Sequence, residues 1–140
     1  MAYISRRLRQ RVILAAQNRC GYCQTAQKIS GGQMQIEHII PLAAGGTSDE
    51  SNLWLSCAWC NSYKAVQTHS KDPETGESVP LFNPRTQTWS EHFRWSDDGV
   101  HIIGITASGR ATVEALRLNN EYILPARGQW VLAGWHPPAD

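Results

Sequence analysis

An α+β fold, in which a small strand-and-helix core lies between two cysteine pairs and is followed by a second α+β segment, is predicted by three features of this sequence. Two Cys-x-x-Cys pairs, Cys20/Cys23 and Cys57/Cys60, hold all four cysteines of the chain. Between them the apolar pattern runs from strand alternation through a polar loop to a short second strand and then to helical spacing. Beyond Lys71 the composition changes toward aromatics, with a turn signal and another strand-like run.

Taken in order, Ser5 is a helix N-cap and Leu8, Val12 and Ala15 fall at helical spacing, so a basic helix is expected toward Asn18. Gly21-Tyr22 lies inside the first cysteine knuckle, and Gly31-Gly32 ends the polar stretch after it. Alternation from Met34 to Ile40 places Met34, Ile36, His38 and Ile40 on one strand face, and Pro41 stops the strand. Gly45 to Asn52 is loop by composition, Leu53-Trp54-Leu55 returns as a strand, and Asn61 to Gln67 reads as a helix. Strand, loop, strand and helix between two cysteine pairs make a unit of about fifty residues, too little core to hold itself without a metal. The expected division is therefore 1–70 for this unit with its basic helix and 71–140 for an accessory α+β extension. In that extension Lys71 to Gly76 is a polar connector, and Phe82, Trp89, Phe93 and Trp95 precede the Asp97-Asp98-Gly99 turn. Ile102 to Ile105 reads as a strand, and Thr106 caps a helix through Leu118.

Two residues between paired thiols let the chain turn back and present both sulfurs to one ion, so the two knuckles complete a tetrahedral zinc site. Two disulfides would instead need an oxidising compartment. The longest apolar run near the start, Val12 to Ala16, is too short for a signal-peptide core or a membrane span, so a cytoplasmic protein with reduced thiols and no membrane association is expected. The formal net charge of +1 hides an asymmetry. Residues 1–36 carry five arginines and Lys28 with no acidic residue, +6, whereas the remainder has seven basic and twelve acidic residues, −5. Zinc bound by four thiolates lowers the whole molecule to about −1. Only a local patch, centred on Arg6, Arg7, Arg9 and Arg11, is then suited to a polyanion; the alternative for these arginines is a solvated helix face.

The segment between the knuckles carries the chemistry. Hydrolysing a phosphodiester needs a base for the attacking water and positive charge at the phosphate. His38, with an ordinary imidazole pKa of about 6.5, suits the first task if its other nitrogen is held. Glu37 and Asn61 offer oxygen ligands that suit Mg²⁺ or Mn²⁺. In a regular strand Glu37 and His38 point to opposite faces, so the strand is expected to bend or end at this pair. Lys64, three residues after Asn61 on the same helical face, is placed to reach a phosphate, the alternative being an exposed helix lysine. His69, His92, His101 and His136 have no ligand-spaced partner and read as structural or surface residues.

Cys20-Gly-Tyr-Cys23, Glu37-His38-Ile-Ile-Pro41, Gly45-Gly46, Asn52-Leu53 and Cys57-x-x-Cys60-Asn61-x-x-Lys64 together resemble, in order and spacing, the HNH endonucleases with the ββα-metal fold, over about residues 5–68. The resemblance implies that His38 is the general base and that Glu37 and Asn61 hold a catalytic Mg²⁺ or Mn²⁺. It further implies that Asn52 ties the loop so that His38 is oriented, and that the four cysteines bind a structural zinc. The partner it implies is double-stranded DNA, cut by water attack to leave 5′-phosphate and 3′-hydroxyl ends. Glutamate stands where the family more often has aspartate, and asparagine replaces the last histidine, so this is an H-N-N variant. Residues 71–140, with Leu81-Phe-Asn-Pro-Arg85 and Trp89-x-x-His92-Phe93-x-Trp95, resemble an extension seen in small bacterial HNH proteins. A zinc-stabilised nucleic-acid-binding module without catalysis is the rival reading, and it has no use for Glu37, His38, Asn52 and Asn61 together.

Overall fold

The computed structural model describes residues 3–139. Helices and two-stranded antiparallel sheets alternate along them, so the fold is α+β. The chain separates into two compact units, one running to Thr68 and taking in Asn83–Gln87, the other formed by His69–Phe82 and Thr88 onward.

In the first unit, α1 (Arg6–Ala15) begins where Ser5 Oγ accepts a hydrogen bond from Leu8 N at 3.1 Å, satisfying an amide that the first turn leaves without a partner. Its buried side is carried by Val12 and continues to Ala16, whereas Ala15 is exposed, so the core stripe is rotated from the expected line. The helix stops short of Asn18 because Gln17 and Asn18 take left-handed φ values of 57° and 52°. The first knuckle follows. Cys20 N donates to Thr25 O and Gly21 N to Leu55 O, which ties the knuckle to the strand that leads into the second one. A Cβ on Gly21 would lie 2.3 Å from the Trp54 ring and 2.7 Å from Pro84, so this position accepts only glycine.

A single turn, α2 (Gln27–Ser30), leads to β1 (Gln35–His38), which pairs antiparallel with β2 (Leu53–Ser56); Glu37 stands opposite Trp54 and His38 opposite Leu53. The apolar alternation does not settle the buried face: Met34 of the expected set is buried, but the rest of that set is not. Glu37 and Ile39 are buried, Ile36 and His38 are half-buried, and Ile40 is exposed. A carboxylate can take the inner face because Tyr22 and Lys64 meet it there. The strand does end at His38, and the chain bends at Ile39 and Ile40. Helix α3 (Ala58–Lys64) begins before Asn61, since Cys57 Sγ accepts from Cys60 N at 3.4 Å in place of a capping oxygen. It ends before Gln67, where Ala65 takes a φ of 49°.

The second unit is built on hairpins and aromatic rings. The stretch expected to be a connector is a hairpin of β3 (His69–Lys71) and β4 (Ser78–Pro80), turned by Asp72, which accepts from Glu74 N and Thr75 Oγ1 at 3.0 Å each. Arg110 Nε and Nη2 reach the two oxygens of the same carboxylate at 2.9 and 2.8 Å. As expected, β5 (Phe93–Trp95) and β6 (Ile102–Gly104) flank the Asp97-Asp98-Gly99 turn, and Thr106 caps α4 (Ala107–Ala115) by accepting from Gly109 N at 3.0 Å. Phe82 meets Phe93 edge-on with centroids 5.1 Å apart, and Trp89 stacks on Phe93 at the same separation. Helix α4 stops before Leu118, and α5 (Ile123–Leu132) is an additional helix whose Pro125 falls in the first turn, where no helical hydrogen bond is lost. No helix of the described residues is long and apolar enough to cross a membrane.

Candidate functional site

The sulfurs of Cys20, Cys23, Cys57 and Cys60 all lie within 4.8 Å of one another, and all four cysteines are free of disulfides. Cys23 Sγ and Cys57 Sγ are 3.7 Å apart. A disulfide would bring them to about 2.05 Å, whereas thiolates at about 2.3 Å around a tetrahedral zinc are separated by about 3.8 Å. The donor set and its spacing therefore fit zinc. The clamp joins the chain before β1 to the start of α3, so it fixes both borders of the segment that carries the polar residues.

His38 closes β1 with its ring half-buried, and its Nε2 lies 2.9 Å from Ser48 Oγ. Burial first, and the positive charge of Lys64 second, hold its pKa below the ordinary imidazole value, so the ring is neutral at neutral pH. Ser48 is brought back to the strand by Asn52. Asn52 Oδ1 accepts from Ile40 N at 2.8 Å, while Nδ2 donates to Ile40 O at 2.9 Å and Thr47 O at 2.7 Å. Ile39 N adds a bond to Asn52 O at 2.9 Å. One asparagine thus fastens both ends of the loop. A Cβ on Gly46 would sit 1.8 Å from Ile40 O, so glycine lets the two strands of this loop touch.

Glu37 points the other way. Its carboxylate is buried, with Lys64 Nζ 2.9 Å from Oε1 and Tyr22 Oη 2.9 and 2.7 Å from the two oxygens. Burial pushes the Glu37 pKa up against the opposing pull of Lys64 and Tyr22. The Tyr22 pKa is also raised, by burial and by Glu37, so the phenol keeps its proton and donates it. The partners of these residues differ from those expected. Of Glu37 and Asn61, expected to share a divalent ion, the Glu37 oxygens meet Tyr22 and Lys64, while Asn61 Nδ2 donates to Gln35 Oε1 at 2.6 Å. Lys64, expected at a phosphate, is 2% exposed and donates inward to Ile39 O at 2.8 Å and His38 O at 3.4 Å.

Residues 20–67 match the family model for HNH endonuclease. They form an HNH domain. The match spans both knuckles, His38, Asn52 and Asn61 and lies within the first unit. No curated protein and no solved structure matches the chain. The HNH match supports nuclease-family function in general, and the four-cysteine cluster supports metal binding.

Around the HNH domain, Arg6, Arg7, Arg9 and Arg11 are all exposed on α1. Arg11 is partly spent on Glu50, its Nε lying 2.9 Å from Oε1 in a solvated pair that contributes little. Arg9 joins Gln33, Gln35, Ile36 and Asn61 around an open recess of about 400 Å³. Three residues of the HNH domain escaped the sequence reading. Ser48 was one polar residue in a polar loop, Tyr22 an aromatic inside a knuckle, and Gln35 a strand residue. Tyr22 alone had a signal, since a bulky aromatic between two metal-binding thiols must be covered by something.

Proposed function

We propose that the chain is a metal-dependent HNH endonuclease that hydrolyses phosphodiester bonds of double-stranded DNA, with His38 as the general base. The observation that carries this reading is the state of His38: half-buried, bonded through Nε2 to Ser48, and held neutral by its surroundings. With Nε2 engaged, Nδ1 is the nitrogen that takes the proton of the attacking water. Displacement of the 3′ oxygen then leaves a 5′-phosphate and a 3′-hydroxyl. A divalent ion, Mg²⁺ or Mn²⁺, supplies positive charge to the phosphate when bound. Asn61 is the oxygen donor on the open side of the HNH domain, where Arg9 lines the same recess. Arg6, Arg7 and Arg9 draw DNA phosphates toward this side without reading sequence. A zinc-stabilised binding module would use the clamp and the arginines but would gain nothing from a histidine held in this way.

The test is incubation of supercoiled plasmid with the purified protein and with its His38→Ala form, in Mg²⁺ and in Mn²⁺. We expect nicked or linear DNA from the wild type, and none from a His38→Ala chain that keeps its zinc and its DNA affinity. Tight DNA binding without cleavage in either ion would assign the chain to the binding modules.

A further inference from the structure

We infer that Glu37 and Lys64 are a positioning pair for His38, linked by Tyr22 to the first zinc knuckle, and that Glu37 does not hold the reaction's divalent ion. The inference rests on the reading of His38 as general base. It starts from the end of β1, where the ladder to β2 stops at the His38–Leu53 pair and the chain bends toward Pro41. Main-chain carbonyls at such a point need other donors. Lys64 Nζ supplies them to Ile39 O and His38 O, and its remaining contact is Glu37 Oε1. An ammonium has three N–H groups, and here each has one acceptor. Asn52 holds the amides of Ile39 and Ile40 in the same stretch, so the main chain that carries the His38 ring is gripped by Asn52 and Lys64 together.

The charge balance explains why Glu37 must face inward. A buried ammonium among carbonyls needs an anion, and Glu37 is the buried carboxylate beside it. Tyr22 meets the second oxygen of that carboxylate, so the anion is satisfied on both oxygens without an ion from solvent. Tyr22 lies between Cys20 and Cys23, which makes it the bridge from the clamp to the strand. For Glu37 to ligate the reaction's ion, the ion would have to enter a site where the carboxylate is 3% exposed and already met by Lys64 and Tyr22. A positioning role for the pair keeps every buried charge matched.

The experiment uses the full zinc-loaded chain and four variants: Glu37→Gln, Lys64→Met, Lys64→Arg and the double change Glu37→Gln with Lys64→Met. Nitrogen NMR of the His38 ring, recorded where the ring is neutral, reports its tautomer and needs no activity. Cleavage is followed against Mn²⁺ and against DNA concentration. We expect each single variant that removes a charge to move the His38 ring from one tautomer to a mixture. It should also lower kcat roughly tenfold or more, with KM for DNA and the Mn²⁺ needed for half-maximal rate unchanged within about twofold. The double variant leaves no unmatched buried charge, so it should be no worse than Lys64→Met alone, and Lys64→Arg should recover part of the rate. If Lys64→Met fails to retain zinc, the double variant carries the comparison with the same criteria. A rise of tenfold or more in the Mn²⁺ requirement of Glu37→Gln, with the His38 tautomer unmoved in the lysine variants, would overturn the inference. If the wild type cuts no DNA, the endonuclease reading fails by itself. The tautomer still decides this one: moved, the pair positions His38; unmoved, it does not.

Discussion

The first unit gathers four thiol ligands and a buried ion pair, the second a stack of aromatic rings and the Asp72–Arg110 pair. In the first, the fully buried apolar residues include Val12, Leu53 and Leu55, and around them stand four thiol ligands and the buried Glu37–Lys64 pair. In the second, Phe82, Phe93, Ile102, Leu116 and Leu118 are fully buried, and among its buried polar groups Asp72 serves a turn and pairs with Arg110 while Arg127 reaches Val100 O at 3.0 Å. A metal clamp lets a short segment fold around polar side chains that an apolar core of its size would not tolerate. The residues proposed for the reaction lie in the unit that carries the four-cysteine cluster.

Removing zinc should break the comparison most severely. Structural zinc contributes on the order of 10 kcal/mol in small domains of this kind. Chelation should therefore abolish amide-exchange protection in β1, β2 and α3 and leave it in β5, β6 and α4. Uniform loss, or uniform retention, would show that the two units do not differ in this way. The mirror-image change is Phe93→Ala, which empties the centre of the aromatic stack and should cost the second unit about 3–5 kcal/mol, read by denaturant unfolding, with zinc content unaltered.

Acid should separate the units in the same order. Arg110 holds the Asp72 carboxyl well below the usual carboxylate range. A depressed folded-state pKa contributes stability that is fully present above the unfolded value of about 3.9 and is lost only as pH falls through the lower folded value. The second unit should stay folded at acidities where the thiolates of the first have already taken protons and released zinc. Circular dichroism and zinc release along one acid titration should give two transitions, with zinc leaving first.

Smaller effects sharpen where function resides. Ser48→Ala removes one hydrogen bond to the His38 ring, and a loss of about 1.4 kcal/mol of orientation would slow cleavage roughly tenfold. The wild-type acid limb should lie below the ordinary imidazole pKa of about 6.5, because burial and Lys64 both lower that of His38: the rate rises with pH as the ring loses its proton and is level above that point. Finally, replacing Arg6, Arg7 or Arg9 by Gln should each reduce the slope of log K against log salt by about 0.9, whereas Arg94→Gln in the second unit should leave it alone.

Much of the clamped unit was legible in the sequence, because cysteine spacing and the loop residues Gly46 and Asn52 act locally. The strand face was not. Alternation assigns Glu37 to the outside, and only Tyr22 and Lys64, distant in sequence, allow it inside. The start of α3 was misplaced because a cysteine does the work of a capping residue. In the second unit the Thr106 cap and the Asp97-Asp98-Gly99 turn were readable, while α5 was hidden by Pro125 and Gly128. The β3–β4 hairpin was hidden as well, since its strands are short and polar and its turn depends on Asp72 meeting Arg110 from elsewhere in the chain. Local chemistry is visible in a sequence; pairings between distant residues are not.

The claim that His38 is the base is tested most directly by chemical rescue. His38→Gly, checked for zinc content, is given DNA and Mn²⁺ with and without added imidazole. The account predicts cleavage that is lost without imidazole and restored in part with it, rising with pH as the added imidazole becomes neutral. A His38→Gly chain that cuts at the wild-type rate without imidazole would contradict it.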